Sequence, residues 1–321
     1  MNRSTEVYDD VLELLPDLDH PTPLVRVNRM NPSPEFTLYA KLEWMSPFGS
    51  VKDRAAAYLI RDLERRGELS ATRGIVEPTS GNTGLSLAGI CAARGYRMRA
   101  VVPNKVPVEK KVLLKIAGAD LDVVNDELCP SPGMGEGSIN LAKSRAKAQG
   151  DIFVMPNQYE NEANALAHYE TTGPEIWRQT EGRITHLFVS LGTCGTVTGC
   201  SRFLRERNSR VKVIAVQPTE GHDVPGLRNV AQLDVSKLFD PSLIDEILEI
   251  DYEQAYTQAL ALARREGLFA GPSSGLIYEG ARRIVERDRI GVGVMIFCDN
   301  VFKYVSNFIK HVPDLADGTT A

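Results

Sequence analysis

The stretch "FVSLGTCGTVTGCSRFL", residues 188–204, passes from an unbroken apolar segment through a turn of glycines and threonines into a segment of helical period. Glycine lets the backbone turn sharply and approach a ligand closely, and the free N–H groups at the start of a helix are donors for an anion. A strand feeding a helix through such a turn is the building unit of a parallel α/β fold. Ser, Thr and Gly also fill ordinary strand-to-helix turns, so a single instance decides little. A second stretch, "VEPTSGNTGLSLAG" at 76–89, repeats the design through Thr79, Ser80, Gly81, Asn82 and Thr83. A third, "FAGPSSGLIYEG" at 269–280, reads as strand, turn and helix again, with Ser273 and Ser274 in the turn. A ligand with a carboxylate at one end and a phosphate at the other suits the first two turns. Neither follows G-x-G-x-x-G or G-x-x-x-x-G-K-[ST], so dinucleotide and ATP readings lose their main support.

Outward from these turns the alternation continues. "FTLYAKL", "RMRAVV", "LDVV", "DIFVM", "HLFVSL", "VKVIAV" and "VGVMIF" read as strands. Between them lie segments of helical period, among them "DRAAAYLIRDLERRG", "NTGLSLAGICAARG", "VEKKVLLKIAG" and "AYTQALALARREG", each closing on a glycine. Continuous apolar runs belong to strands covered on both faces, so mostly parallel sheets flanked by helices are expected. "SLIDEILEI" leads into a further strand, "CPSPGMGEG" at 129–137 reads as a surface loop, and "DLADGTTA" reads as a disordered tail. The motifs fall into two groups on either side of "MPNQY" at 155–159, which suggests a boundary there.

A chain of 321 residues is long enough for two domains, each with its own core. The formal net charge of −5 and a pI near 5.7, with both signs interspersed, leave no footprint for nucleic acid or an anionic membrane. The N-terminal residues lack an apolar signal region and no apolar run is long enough to span a bilayer, so a cytoplasmic protein is expected. Cys91, Cys129, Cys194, Cys200 and Cys298 are odd in number, scattered and without metal-ligand spacing, and read as reduced thiols with no metal site.

"PFGSVKDRAAAYL" at 47–59 places Lys52 at the mouth of a helix, because Ser50 and Asp53 have capping-box spacing. The helix macrodipole disfavours a cation there by roughly 0.3–1 kcal/mol at the surface. A lysine that bends into solvent escapes the cost, and so does one whose nitrogen is used covalently.

Together, in this order and spacing, these segments resemble the fold type II pyridoxal phosphate (PLP) enzymes, which share a two-domain, tryptophan synthase β-like fold. More closely they resemble the cysteine synthase and cystathionine β-synthase family, from "HPTPLVRV" at 20–27 through "FCDNVFKYVSN". The resemblance implies that Lys52 in "GSVKDR" carries the cofactor as a Schiff base and acts as the catalytic base. It implies that Thr79, Ser80, Gly81 and Thr83 of "TSGNTG" bind the substrate carboxylate, with Asn82 at the cofactor's 3-hydroxyl. "GTCGT" resembles the phosphate cup usually written G-T-G-G-T, which implies cofactor contacts at Gly192, Thr193, Cys194, Gly195 and Thr196. "NQYENEANALAHYETTGPEIW" points to Gln158 in the carboxylate site, and "GPSSG" to Ser273 at the pyridine nitrogen.

The family fold implies a smaller mobile domain over 45–157, a larger one from 1–44 and 158–311, and a disordered tail over 312–321. Members are usually homodimers, and a serine acetyltransferase is a candidate partner. The implied activity is β-replacement: O-acetyl-L-serine or O-phospho-L-serine with sulfide gives L-cysteine. "GLRN" resembles a segment of phosphoserine-using sulfhydrylases, which makes Arg228 a candidate for the leaving phosphate; a rim salt bridge is the plain alternative. His222, in the same loop, suits a structural hydrogen bond or a substrate contact. Competing readings are a cystathionine β-synthase joining serine to homocysteine, a serine or threonine dehydratase, and a non-catalytic homologue. Val51 before the lysine, where dehydratases typically have Phe, speaks against the dehydratase.

Overall fold

Phe36–Leu42 alternates into a seven-residue strand, and the apolar runs around it build the larger of two sheets in this computed structural model. The structure describes residues 7–79, 81–125 and 137–317. Its strands are β1 (Leu24–Val27), β2 (Phe36–Leu42), β3 (Gly74–Pro78), β4 (Met98–Pro103), β5 (Asp120–Val124), β6 (Phe153–Val154), β7 (His186–Ser190), β8 (Lys212–Pro218), β9 (Glu246–Ile250) and β10 (Gly291–Phe297). Its α-helices are α1 (Lys52–Arg65), α2 (Asn82–Arg94), α3 (Val108–Ile116), α4 (Gly137–Ala148), α5 (Ala163–Ala167), α6 (Gly173–Gln179), α7 (Gly195–Arg207), α8 (Tyr252–Glu266), α9 (Pro272–Asp288) and α10 (Val305–His311). A π-helical turn, His168–Thr172, joins α5 to α6.

The larger sheet runs β1-β2-β10-β7-β8-β9 and is parallel except for β1, which pairs antiparallel with β2. The smaller runs β5-β4-β3-β6 and is parallel throughout. Parallel neighbours need crossover helices, and those helices cover the sheet faces, which is why the strands read as continuous apolar runs. One face of the smaller sheet packs Ile75, Met98 and Val102 against Ile60 of α1 and Leu87 of α2, and the other packs Val76 and Val101 against Ala142 of α4. The larger sheet is filled on one face by Leu276, Ile277 and Ile284 of α9, and on the other by Val197, Cys200 and Leu204 of α7. Among the described residues no helix is long and apolar enough to cross a membrane.

The expected boundaries at 45 and 157 are not clean. Arg54, on α1, is buried in an ionic network with the larger unit: its guanidinium meets Glu43 at 2.7 Å and Glu175 at 2.5 Å, and Lys41 meets Glu175 at 2.6 Å. All four side chains are at most 1% exposed, and Thr22 donates to Glu43 at 2.7 Å. The same helix packs Ala56, Ile60 and Leu63 into the core of the smaller sheet, so α1 belongs to both units. Leu12 and Leu15 pack against that smaller core as well, although the segment before residue 45 is expected on the larger unit.

The C-terminal residues are more ordered than expected. Pro313–Ala316 forms a 3-10 turn, and Val312 and Leu315 pack on a cluster of Tyr256, Tyr304 and Phe308. Residues 318–321, Ser80 and most of the 129–137 loop, Cys129 included, lie outside the described residues.

Candidate active site

The C-terminal ends of β3, β6, β7 and β10 open on one cavity of about 150 Å³. Crevices outside the carboxyl ends of parallel strands are where open α/β sheets bind ligands. The cavity is lined by Lys52, by Thr79, Gly81, Asn82 and Thr83, and by Gln158. From the larger unit come Gly192, Thr193, Cys194, Thr196, Arg228 and Ser273. Thus the residues assigned to cofactor or substrate from the sequence meet in one place, except that Ser80 is outside the described residues, Gly195 is buried just behind the wall and His222 lies away from it.

α1 begins at Lys52, as the spacing predicts, but without the reciprocal capping box. Ser50 Oγ accepts from the Lys52 N–H at 3.3 Å, whereas the Asp53 carboxylate is drawn away from the helix start. It accepts from the Phe48 N–H at 2.8 Å, from the Ser86 hydroxyl at 2.6 Å and from the Ser46 hydroxyl. Asp53 is fully buried, which pushes its pKa up, and three donors from outside its own turn offset that cost better than a cap would.

The turn between β7 and α7 has the shape its composition suggests. Cys194 adopts left-handed backbone, φ 66°, and α7 starts at Gly195 with no side chain capping its first N–H groups. A Cβ on Gly192 would sit 2.8 Å from the Gly226 carbonyl, and one on Gly195 would overlap Asn164 Oδ1. Asn164 Nδ2 donates both to Thr193 Oγ1 at 3.0 Å and to the Gln158 carbonyl at 2.8 Å, joining the two halves of the site. Behind Thr196, His168 Nε2 lies 3.2 Å from its hydroxyl, and His168 Nδ1 lies 2.9 Å from Thr172 Oγ1. Burial pushes the His168 pKa down to about 3, so this imidazole is neutral.

In the turn after β3, Thr79 Oγ1 accepts the Gly84 N–H at 2.8 Å. Thr83 donates to Gln158 Oε1 at 2.7 Å. The Asn82 amide is held at both ends: its Nδ2 donates to Asp299 at 2.5 Å and its Oδ1 accepts from Lys303 at 3.1 Å. Lys303 also donates to the carbonyls of Phe48 and Gly49, four and three residues before Lys52. The guanidinium of Arg228 lies 5.3 Å over the Tyr159 ring and 3.4 Å from its hydroxyl.

One expectation changes, and one open alternative is decided. The turn carrying Ser273 is not fed by a strand: only an isolated bridge, Ala270 to Asn300, precedes α9. His222 does not line the cavity; its Nδ1 accepts the Val224 N–H at 3.2 Å and its Nε2 faces Gln232 Oε1, a structural arrangement. Lys110, Asp299 and Tyr304 form a wall that sequence reasoning missed, along with Asn164, His168 and Lys303. The available signal was the polar run after the last strand, in "CDNVFKY" at 298–304, which an outer helix or tail would not need.

A family model for pyridoxal-phosphate dependent enzymes matches residues 15–299. The chain belongs to that family. It is 43% identical over 286 residues to cysteine synthase B of Escherichia coli (strain K12), covering 89% of this chain and 92% of the relative. It is 36% identical over 309 residues to the cysteine synthase of Aquifex aeolicus (strain VF5), covering 94% and 93%. Among solved structures, O-ureido-L-serine synthase superposes with a TM-score of 0.86 at 33% identity, covering 96% of each chain. The cysteine synthase of Entamoeba histolytica gives 0.84 at 27% identity, covering 97% and 94%.

The residues of this pyridoxal-phosphate dependent enzyme fit the cofactor. The uncapped start of α7, two threonine hydroxyls and a cradle that a Cβ at 192 would fill suit a phosphate. Asp299 Oδ1, on the cavity wall, is buried with no hydrogen-bond partner among the described residues.

Proposed function

We propose that the protein is a cysteine synthase, forming L-cysteine from O-acetyl-L-serine or O-phospho-L-serine and sulfide. The observation that carries this is the convergence of Lys52, the two glycine-threonine turns and Arg228 on one cavity, in a chain of this similarity to cysteine synthase B. Pyridoxal phosphate, when bound, supplies the electron sink that lets the substrate lose its α-proton and then its β-substituent.

The chain's own residues do the rest. Lys52 would be the attachment point for the cofactor, and its free amine would take the proton from the substrate Cα. Gly192, Thr193, Cys194, Gly195 and Thr196 would hold the cofactor phosphate through backbone N–H groups and the two hydroxyls, with Asn82 and Ser273 at the ring. A neutral Ser273 hydroxyl at the ring, in place of a carboxylate, would favour elimination and replacement chemistry. Thr79, Gly81, Thr83 and Gln158 would clamp the substrate carboxylate. Arg228 is the residue we assign to a leaving phosphate, whose dianion a guanidinium holds through paired charge-assisted hydrogen bonds. The protein is proposed to act in the cytoplasm as a homodimer, with a serine acetyltransferase as candidate partner.

The test is direct. Purified holoenzyme is mixed separately with O-acetylserine, O-phosphoserine and serine, the cofactor absorbance is followed, and sulfide or homocysteine is then added. Cysteine from an activated serine and sulfide is the expected product; reaction of serine with homocysteine alone would refute the assignment. Arg228→Ala should lower kcat/KM for O-phosphoserine at least tenfold more than for O-acetylserine, as the loss of a charged hydrogen bond implies.

A further inference from the structure

Glu77 is 0% exposed and sits next to last in β3, directly before the turn that carries Thr79, Asn82 and Thr83. A buried carboxylate ordinarily has a cation beside it. This one instead accepts two consecutive backbone N–H groups from another strand end: Asn157 at 2.9 Å on one oxygen and Gln158 at 3.0 Å on the other. The geometry has a simple origin. β3 and β6 pair in parallel only over Gly74 to Phe153 and Ile75 to Val154, and then the two chains part. The Glu77 side chain spans the gap and offers its oxygens where a strand would have offered a carbonyl. Asn157 takes left-handed backbone, φ 59°, in the turn so gripped.

Beyond the gripped turn the Gln158 amide bridges back, its Nε2 donating to the Pro78 carbonyl at 3.1 Å and its Oε1 accepting from Thr83. Gln158 thus reaches the cavity from a backbone that Glu77 grips at the N–H groups of residues 157 and 158 and that Asn164 holds at the Gln158 carbonyl.

We propose that Glu77 is the positioning residue of the substrate-carboxylate site, acting through Gln158 and never touching the substrate. This rests on the reading of that site given above. The carboxylate fixes the backbone of residues 157 and 158, and so fixes the angle at which the Gln158 amide and the Thr83 hydroxyl face the cavity. A carboxamide of the same shape cannot replace it, because its NH₂ would confront one of the two N–H donors. Burial with only neutral donors beside it pushes the Glu77 pKa up to about 7, so the group is the carboxylate this geometry requires above that value, and the comparison below is made at about pH 8.

The experiment compares Glu77→Gln, Gln158→Ala and the double variant as holoenzymes. Glu77→Gln should raise KM for O-acetylserine roughly 10- to 100-fold, the value of a charged hydrogen bond. It should leave kcat within about threefold, with the sulfide KM and the cofactor spectrum unchanged. The double variant should be no worse than Gln158→Ala, since both act on one contact. Should Glu77→Gln not fold, Glu77→Asp, which keeps the charge but withdraws it by one methylene, serves in the same comparison. An unchanged KM, additive effects, or a parallel loss of cofactor and kcat overturns the proposal. If the cysteine synthase reading itself fails, the wild type makes no cysteine from sulfide. The amino-acid-induced change in cofactor absorbance still reports the carboxylate site in every variant.

Discussion

Replacing Glu43 with Gln tests the ionic network beneath the active-site helix. Glu43 is 1% exposed and accepts from Arg54 Nε at 2.7 Å, Arg54 Nη2 at 3.1 Å and Thr22 at 2.7 Å. In the wild type Lys41 and Arg54 balance Glu43 and Glu175; in the variant two buried cations face one carboxylate. Breaking a buried pair on one side costs about 3–5 kcal/mol. The electrostatics of the pair agree in direction. Burial pushes the Glu43 pKa up, but Arg54 and Lys41 outweigh it and hold the group at about 2 against 4.5. The sign of the pH dependence is set by the depressed value: the stabilisation is complete above pH 4.5 and is lost as pH falls through about 2. Urea unfolding at pH 7, followed by far-UV circular dichroism, should therefore show Glu43→Gln destabilised by about 3–5 kcal/mol. Repeated downward from pH 4.5, the gap between wild type and variant should shrink. A loss under about 1 kcal/mol at pH 7, or a gap that stays constant into acid, would refute the reasoning.

Further outcomes follow from single positions. Gly195→Ala places a methyl on Asn164 Oδ1 and should abolish cofactor retention, read as the ratio of cofactor to protein absorbance after gel filtration. Cys194→Gly relieves left-handed strain of about 1–2 kcal/mol but gives up a buried thiol and adds freedom to the unfolded chain, so unfolding should shift by less than about 1 kcal/mol with cofactor retained. A destabilisation above about 2 kcal/mol would show that the thiol, not the turn, matters there. Glu77, whose pKa is raised to about 7, stabilises the fold most below pH 4.5, and that contribution should fade as pH rises through about 7. Glu77→Gln should flatten this segment of the stability profile measured by urea unfolding.

The sheets were legible because helices cover both of their faces and leave uninterrupted apolar runs such as "HLFVSL" and "VGVMIF". The start of α1 was legible from Ser50, but the cap was not, because the donors that draw Asp53 away come from residues 46, 48 and 86. The two glycine turns announced their chemistry through composition. What anchors Asn82 did not: Asp299 and Lys303 lie 217 and 221 residues further along the chain, and no local pattern links them. The strand expected before Ser273 failed for a similar reason, since Phe269 and Ala270 meet the C-terminal segment instead of extending a sheet. The domain edges were the least legible, because α1 is covalently next to one unit and ionically rooted in the other.

That double allegiance constrains how the cleft can narrow. Arg54 fastens α1, and with it Lys52, to the six-stranded side, while Thr79 and Thr83 follow β3 of the four-stranded side. The same helix meets the smaller core through Ala56, Ile60 and Leu63, and it is joined to α2 where the Ser86 hydroxyl donates to Asp53 at 2.6 Å. The helix start that presents the Lys52 amine is therefore moored on both sides of the cleft at once, by Arg54 on one and by Asp53 on the other.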